Sequence, residues 1–240
     1  MKYYPVNLDI NGKKCLVVGG GSVGGRKIKT LLECGAIVTV ISPAVIQKVQ
    51  NLADNGSIRL KKRPYRTSDI DEKTFLVIGA TDNDNLNRLI HKDAERFNML
   101  CNIADRPEVC NFILPAIVNR GDLVIAVSTS GKSPAFAKKL RQRLEKEYGD
   151  EYAEFLKLMG AIREKLLSAE HEPEAHKHLF EEVISKGLIE MIKDGNEEEI
   201  DALLGDLFGK EYRLSSLKKK LTVAYHLNNF TALSKNYLNL

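Results

Sequence analysis

This 240-residue chain predicts an α/β fold: a parallel sheet with helices, followed by a small all-helical C-terminal domain. Three observations carry the prediction. The apolar run Cys15-Leu16-Val17-Val18 passes through Gly19-Gly20-Gly21 directly into a helical stretch, Val23 to Cys34. Further apolar runs at Ile37 to Ile41, Phe75 to Ala80 and Met99 to Ile103 alternate with helical patterns, as βαβ units require. From Asp150 onward the only periodicity is helical, with Tyr152, Phe155, Leu156, Met159, Ile162 and Leu166 on one stripe.

The first element is the most specific. Gly19, Gly21 and Gly24 form a Gly-x-Gly-x-x-Gly fingerprint placed after a strand and at the opening of a helix. That context makes the domain Rossmann-type: the first glycine permits the turn, the second lets the backbone approach a pyrophosphate, and the third packs helix on strand. The N–H groups at the helix start, around Ser22 and Val23, then face the negative charge. At the end of the second strand, where Asp or Glu usually grips the ribose of NAD, the chain reads Ser42-Pro43, with no Arg beside it for a 2′-phosphate. NAD is therefore the expected cofactor, with NADP left open.

Ile58 to Lys62 reads as a short third strand and Phe75 to Ala80 as a fully buried fourth. Its end carries Thr81, Asp82 and Asn83, candidates for the ribose or adenosine side of the cofactor and equally for the cap of a helix from Asn85 to Phe97. The fifth strand, Met99 to Ile103, ends just before Asp105, a good position for a catalytic carboxylate. The alternative is that Asp105 merely shapes the turn with Arg106-Pro107. Phe112 to Val118 and Leu123 to Val127, joined by Asn119-Arg120-Gly121-Asp122, predict a hairpin that adds antiparallel strands to the sheet. The loop Ser128-Thr129-Ser130-Gly131-Lys132-Ser133 then precedes a basic helix from Pro134, and together they form a candidate anion site or a solvated basic surface. Two more helices are expected over His178 to Asp194 and Glu197 to Phe208.

Composition narrows the function classes. Hydrophobic residues make up 43% of the chain, enough for a real core, and no apolar run reaches the ~20 residues of a membrane span. The opening Met1-Lys2-Tyr3-Tyr4-Pro5 lacks a signal-peptide core, so a cytoplasmic address is expected. Cys15, Cys34, Cys101 and Cys110 show no C-x-x-C spacing and read as reduced core thiols. Lys and Arg outnumber Asp and Glu by 24 to 16 over residues 1–150, whereas Asp and Glu lead by 16 to 12 beyond. A basic half fits an anionic small molecule or nucleic acid, but aromatics are only 7% and no helix-turn-helix or stacking pattern accompanies the charge. No nucleic acid is expected as partner. His171, His176 and His178 lie in a Glu-rich connection, and no metal site is assigned there.

Four motifs then resemble one family. They are Val17-Val18-Gly19-Gly20-Gly21-Ser22-Val23-Gly24 with Arg26-Lys27; Ile78-Gly79-Ala80-Thr81-Asp82 with Leu86-Asn87; Cys101-Asn102-Ile103-Ala104-Asp105 with Cys110-Asn111-Phe112-Ile113-Leu114-Pro115-Ala116; and Ala126-Val127-Ser128-Thr129-Ser130-Gly131-Lys132-Ser133-Pro134. In order and spacing they resemble the precorrin-2 dehydrogenase and sirohydrochlorin ferrochelatase family, which includes the N-terminal part of siroheme synthase. The resemblance runs to about Gly209. It implies NAD-dependent oxidation of precorrin-2 to sirohydrochlorin, with Fe²⁺ insertion as a further activity left open.

It also implies a homodimer with a Rossmann domain over 1–112, a central dimerisation and substrate region over 113–148 and a helical domain over 149–209. The tail 210–240, with Lys218-Lys219-Lys220 and the stripe Tyr225, Leu227, Phe230, Leu233 and Tyr237, is unassigned. Carried over by residue, Asp105 becomes the catalytic carboxylate. Ser22, Val23, Ser42 and Pro43 touch the dinucleotide, and Asn102, Ser128, Ser130 and Lys132 face a substrate bearing eight carboxylates. The rival reading is an NAD-binding regulatory module without chemistry.

Overall fold

The computed structural model describes residues 2–104, 106–168 and 173–218. They fall into two compact units, one of residues up to Leu114 together with Thr129–Ser133, the other of Pro115–Ser128 and the chain from Pro134.

The first unit is a five-stranded parallel sheet in the order β3-β2-β1-β4-β5. Its strands are β1 (Lys14–Gly20), β2 (Ile37–Val45), β3 (Arg59–Lys61), β4 (Leu76–Gly79) and β5 (Leu100–Ile103). The order reverses between β1 and β4, which creates the switch-point crevice where open α/β sheets bind ligands. Both faces of β1 are covered, and its period-two alternation divides it between two cores. Cys15 and Val17 join Ile28, Leu31, Val38, Val40 and Ile78 on one face; Leu16 and Val18 join Ile41, Val77, Ile90, Cys101 and Ile103 on the other. Helix α1 (Ser22–Glu33) covers the first face through Ile28 and Leu31, and α3 (Asp84–Glu95) covers the second through Ile90 and Ala94.

Two local differences from the sequence reading bear on the site. β2 does not stop at Ile41 but runs through Ser42-Pro43 to Val45, with a register break: Val18 pairs with Ile41, yet Gly20 pairs with Val45. Proline has no N–H to give a ladder and is tolerated at such a bulge. The short helix α2 (Gln47–Asp54) follows, holding only Val49 in the core, too brief a signal for periodicity to reveal.

In the second unit, β6 (Ala116–Arg120) and β7 (Leu123–Val127) pair antiparallel as a two-stranded sheet of their own, so they do not extend the parallel sheet as expected. Strand pattern predicts a hairpin, but which edge it joins is a tertiary matter. The turn is the two residues Gly121-Asp122, Gly121 taking φ +66°, while Asn119 and Arg120 belong to the strand. Arg120 ties the hairpin to the end of α4 (Pro134–Glu147): its Nε donates to the Tyr148 carbonyl at 2.8 Å and an Nη to the Glu145 carbonyl at 2.9 Å. The Glu145 carbonyl belongs to the last turn of α4, where the helix itself supplies no donor.

The helices α5 (Glu151–Leu167), α6 (Pro173–Ser185), α7 (Leu188–Asp194) and α8 (Glu197–Phe208) close around Phe155, Leu158, Ile162, Val183, Leu188 and Leu204. The stretch expected as one helix from His178 to Asp194 is broken at Gly187, which adopts φ +81°. Tyr212, Leu214 and Leu217, from the segment read as tail, are buried in this same core. The stripe Tyr225 to Tyr237 and Lys219-Lys220 lie outside the described residues.

Candidate functional site

The carboxyl ends of β1 and β4 meet at the glycine turn. Gly19 takes φ +108°, and a Cβ there would stand 2.1 Å from the Ala80 carbonyl oxygen and 3.3 Å from Thr81 Cγ2. Only glycine lets the two strand ends approach so closely. Gly24 lies in α1 against the Gly19 carbonyl, where a Cβ would come within 2.1 Å. Gly21 is different, since a Cβ there meets nothing within 4 Å. It is the N-cap of α1, without a side-chain cap and with no acidic residue in the first turn. The open space beside Gly21, the orphan N–H groups of Ser22 and Val23, and the positive helix end form a cradle that fits a dinucleotide pyrophosphate.

The other predicted cofactor residues stand around this turn with differing freedom. Ser42 is buried, and its hydroxyl donates to the Ala44 carbonyl at 2.6 Å, leaving its oxygen lone pairs to accept from a ribose hydroxyl. Pro43 follows it within the bulged strand. Asn83 caps α3, its Oδ1 accepting the Leu86 N–H at 3.0 Å. Thr81 Oγ1 donates to Asn87 Oδ1 at 2.8 Å, while Asn87 Nδ2 donates to the Thr81 carbonyl at 2.9 Å. Thr81 and Asn83 are thus engaged in holding the β4 to α3 turn, whereas Asp82 is exposed beside it.

Asp105 lies outside the described residues, whereas Asn102, Arg106 and Asn111, near it in sequence, lie within them. Asn102 is buried, its Nδ2 donating to the Phe112 carbonyl at 3.1 Å. Arg106 makes an ion pair with Asp84 at the start of α3 and another with Glu108 at 3.5 Å. Asn111, which the sequence reading quoted only as part of a motif, acts as an extra strand neighbour for the open edge of β5. Its Oδ1 accepts the Cys101 N–H at 2.8 Å and its Nδ2 donates to the Met99 carbonyl at 2.7 Å. The repeated dipeptides Cys101-Asn102 and Cys110-Asn111 were the available sequence signal.

The hydroxyl-rich loop is shaped by a turn in which the Lys132 N–H reaches the Thr129 carbonyl at 2.9 Å and the Ser133 N–H reaches Thr129 Oγ1 at 3.2 Å. Ser130 and Gly131 both take positive φ, +52° and +80°. Ser130 and Lys132 are exposed and group with the Rossmann unit; Ser128 is exposed and groups with the other.

Burial raises the thiols of Cys15 and Cys101 to about 11 and about 12, so neither is a nucleophile at neutral pH. Cys34 is exposed, unlike the core thiol expected there. Among the described residues no group of three or more His, Cys, Asp or Glu is placed to hold a metal ion. His178 pairs with Glu182 at 3.8 Å, and His171 lies outside the described residues. No helix of the described residues is long and apolar enough to cross a membrane.

Residues 6–116 match the family described as "Putative NAD(P)-binding", and residues 120–147 match the one described as "Sirohaem biosynthesis protein central". Siroheme synthases of Methylococcus capsulatus and Nitrosococcus oceani are 36% and 37% identical over 204 residues, which is 85% of this chain and 43% of each relative. Among solved structures, one named "SirC, precorrin-2 dehydrogenase" superposes with a TM-score of 0.67 at 25% identity, covering 92% of this chain and 98% of that one. The chain belongs to the precorrin-2 dehydrogenase and siroheme synthase family. It spans less than half the length of the siroheme synthases it matches. In this precorrin-2 dehydrogenase family member the cofactor is a nicotinamide dinucleotide, in keeping with the profile match and the Gly21 cradle. The matched central segment begins at the last residue of β6 and ends at the last residue of α4, so it comprises the hairpin turn, β7, the hydroxyl-rich loop and the basic helix.

Proposed function

We propose that the chain oxidises precorrin-2 to sirohydrochlorin with NAD as electron acceptor, a step in siroheme synthesis. The observation that carries this reading is the two-way coverage of the precorrin-2 dehydrogenase structure, 98% of that chain by 92% of this one.

The N–H groups beside Gly21 hold the pyrophosphate, and the Ser42 oxygen accepts a ribose hydroxyl proton. A hydroxyl already spent on Ala44 has no proton for a 2′-phosphate, which favours NAD over NADP. The bound nicotinamide supplies a hydride acceptor. Loss of a hydride leaves the tetrapyrrole with one proton to shed, and Asp105, an acceptor-only group when ionised, takes it. Asn102, Ser130 and Lys132 of the first unit belong to the substrate side, where the exposed Lys132 offsets substrate carboxylates. The enzyme works in the cytoplasm, where NAD is available and thiols stay reduced.

It works as a homodimer, with 113–148 as the joining region. Ile117, Val124 and Ala126 are exposed on one face of a hairpin that has only two strands, and isolated two-stranded sheets are marginal in water.

The test is anaerobic incubation with precorrin-2 and NAD, following NADH and sirohydrochlorin absorbance, for wild type and Asp105→Asn. Wild type is expected to form both in equal amounts, and Asp105→Asn to lose about 10²- to 10⁴-fold in kcat with NAD affinity retained. NADH absent from the wild-type reaction would overturn the dehydrogenase reading in favour of an NAD-binding regulatory module. Adding Fe²⁺ as second substrate afterwards reads siroheme formation directly.

A further inference from the structure

A group of charges stands beside the end of β2, the strand end that carries Ser42. Lys61, the last residue of β3, pairs with Ile41, the residue before Ser42, so the two strands lie about 4.8 Å apart there. Neither Lys61 nor Arg63 is at liberty. The Asp69 carboxylate holds both: Arg63 Nη1 donates to Oδ2 at 2.7 Å and its Nη2 to Oδ1, while Lys61 Nζ donates to Oδ1 at 3.3 Å. Arg63 Nη1 also reaches the Pro64 carbonyl at 2.9 Å. Asp69 itself is fixed, since it closes the short 3₁₀ turn Thr67–Asp69, accepts the Arg66 N–H at 2.9 Å and leaves only 3% of its side chain exposed. On either side of that turn, Tyr65 and Ile70 are buried in the core that Ile41 and Ile90 share. Burial alone would raise the Asp69 pKa, but the hydrogen bonds from Arg63, the Arg66 backbone and Lys61 bring it to about 2, so the group is a full anion at neutral pH.

We propose that Asp69 is a specificity-determining residue for the cofactor: by holding Lys61 and Arg63 it keeps both cations from the ribose 2′ position and so sets NAD over NADP. The inference rests on the reading that the adenosine ribose lies at Ser42. An NADP site needs a cation there, usually an arginine, to meet the 2′-phosphate. Here two cations stand at the neighbouring strand end but are already paired, and a bidentate arginine–carboxylate pair is among the stronger polar contacts. A phosphate would have to draw Arg63 away and leave an enclosed carboxylate uncompensated, which costs binding. The Ser42 hydroxyl withholds a single proton from the phosphate, whereas Asp69 withholds two charges.

The test is calorimetric titration with NAD and with NADP at neutral pH, for wild type, Asp69→Asn and Asp69→Ser, with thermal melts alongside. Wild type is expected to bind NAD at least about tenfold more tightly than NADP. Both Asp69 variants should gain about tenfold in NADP affinity, the worth of one charge-assisted hydrogen bond, and keep NAD affinity within about twofold of wild type. Adding Lys61→Met and Arg63→Met to Asp69→Asn should abolish the gain, whereas adding Lys62→Met, at the exposed lysine between them, should keep it. In the wild-type background Lys61→Met and Arg63→Met should each leave both affinities unchanged, because the cation removed was never available to the phosphate.

Unchanged NADP affinity in folded Asp69→Asn and Asp69→Ser overturns the inference and leaves the cofactor reading standing, as do equal affinities for NAD and NADP in wild type. Parallel loss of both affinities with a lowered melting midpoint makes Asp69 merely structural and overturns it too. Should neither Asp69 variant fold, the single cation variants decide: unchanged affinities uphold the inference, and a selective loss of NADP affinity in either overturns it. Absence of NAD binding in wild type instead removes the cofactor reading, and the inference with it.

Discussion

A methyl group added at Gly21 and one added at Gly24 meet opposite surroundings although the residues are one helical turn apart. At Gly24 it strikes the Gly19 carbonyl oxygen, a backbone atom that cannot swing aside; at Gly21 it enters open space, where the proposed pyrophosphate would lie. Gly21→Ala is therefore expected to fold with an unchanged melting midpoint and to bind NAD at least about tenfold more weakly, since the lost approach costs roughly 1.4 kcal/mol or more. Gly24→Ala should lose stability itself, by about 1–3 kcal/mol of overpacking. Thermal melts with NAD titrations on both variants check the pair, and equal melting behaviour would defeat the distinction. Gly19, Gly21 and Gly24 were legible in the sequence because strand, turn and helix start are contiguous. The engagement of Ser42 with Ala44, or of Thr81 with Asn87, was not, because a hydroxyl's partner depends on backbone geometry that residue types do not declare.

Among the elements, the segment between β3 and β4 is held by a charge cluster that spacing alone conceals. Asp69 is nearly enclosed, with Arg63 and Lys61 on its carboxylate and the Arg66 N–H at 2.9 Å. Burial by itself would raise its pKa, but the hydrogen bonds from Arg63, the Arg66 backbone and Lys61 outweigh that and bring it to about 2. A carboxylate depressed on folding stabilises fully above its unfolded value near 3.9, and the contribution disappears as pH falls through about 2. Asp69→Asn should accordingly be less stable than wild type at pH 7, with the difference shrinking between about pH 4 and 2. Denaturant melts across that range test it; a constant difference would show that packing, not charge, is lost.

At Gly187 the left-handed φ separates α6 from α7. Gly187→Ala is expected to cost about 1 kcal/mol through backbone strain, read as a lowered denaturant midpoint with unchanged slope. Helical periodicity ran straight through that break because the apolar spacing on either side stays in phase.

For the whole molecule, the hairpin β6–β7 poses the largest question. One face packs within its unit through Val118 and Val127, while Ile117, Val124 and Ala126 face outward. For the proposed homodimer, Ile117→Lys with Val124→Lys is expected to give monomer, because charges would replace the apolar surface proposed to meet a second copy. Sedimentation of the double variant measures this, and a wild-type monomer at working concentration would refute the assembly. The hairpin itself was plain from its alternating residues and turn, but its separation from the parallel sheet was not.

The sequence by itself determined the Rossmann unit, the glycine turn at the end of β1 and the helical character of the last third, since each depends on periodicity and turn chemistry within a short span. Tertiary structure alone decided which polar side chains are already committed, that β2 bulges past Ser42, that Asp69 gathers Lys61 and Arg63, and that Asn111 returns to the open edge of β5. Those contacts join residues far enough apart in the chain that only the folded backbone, by fixing distance and direction, selects them from many chemically equal partners.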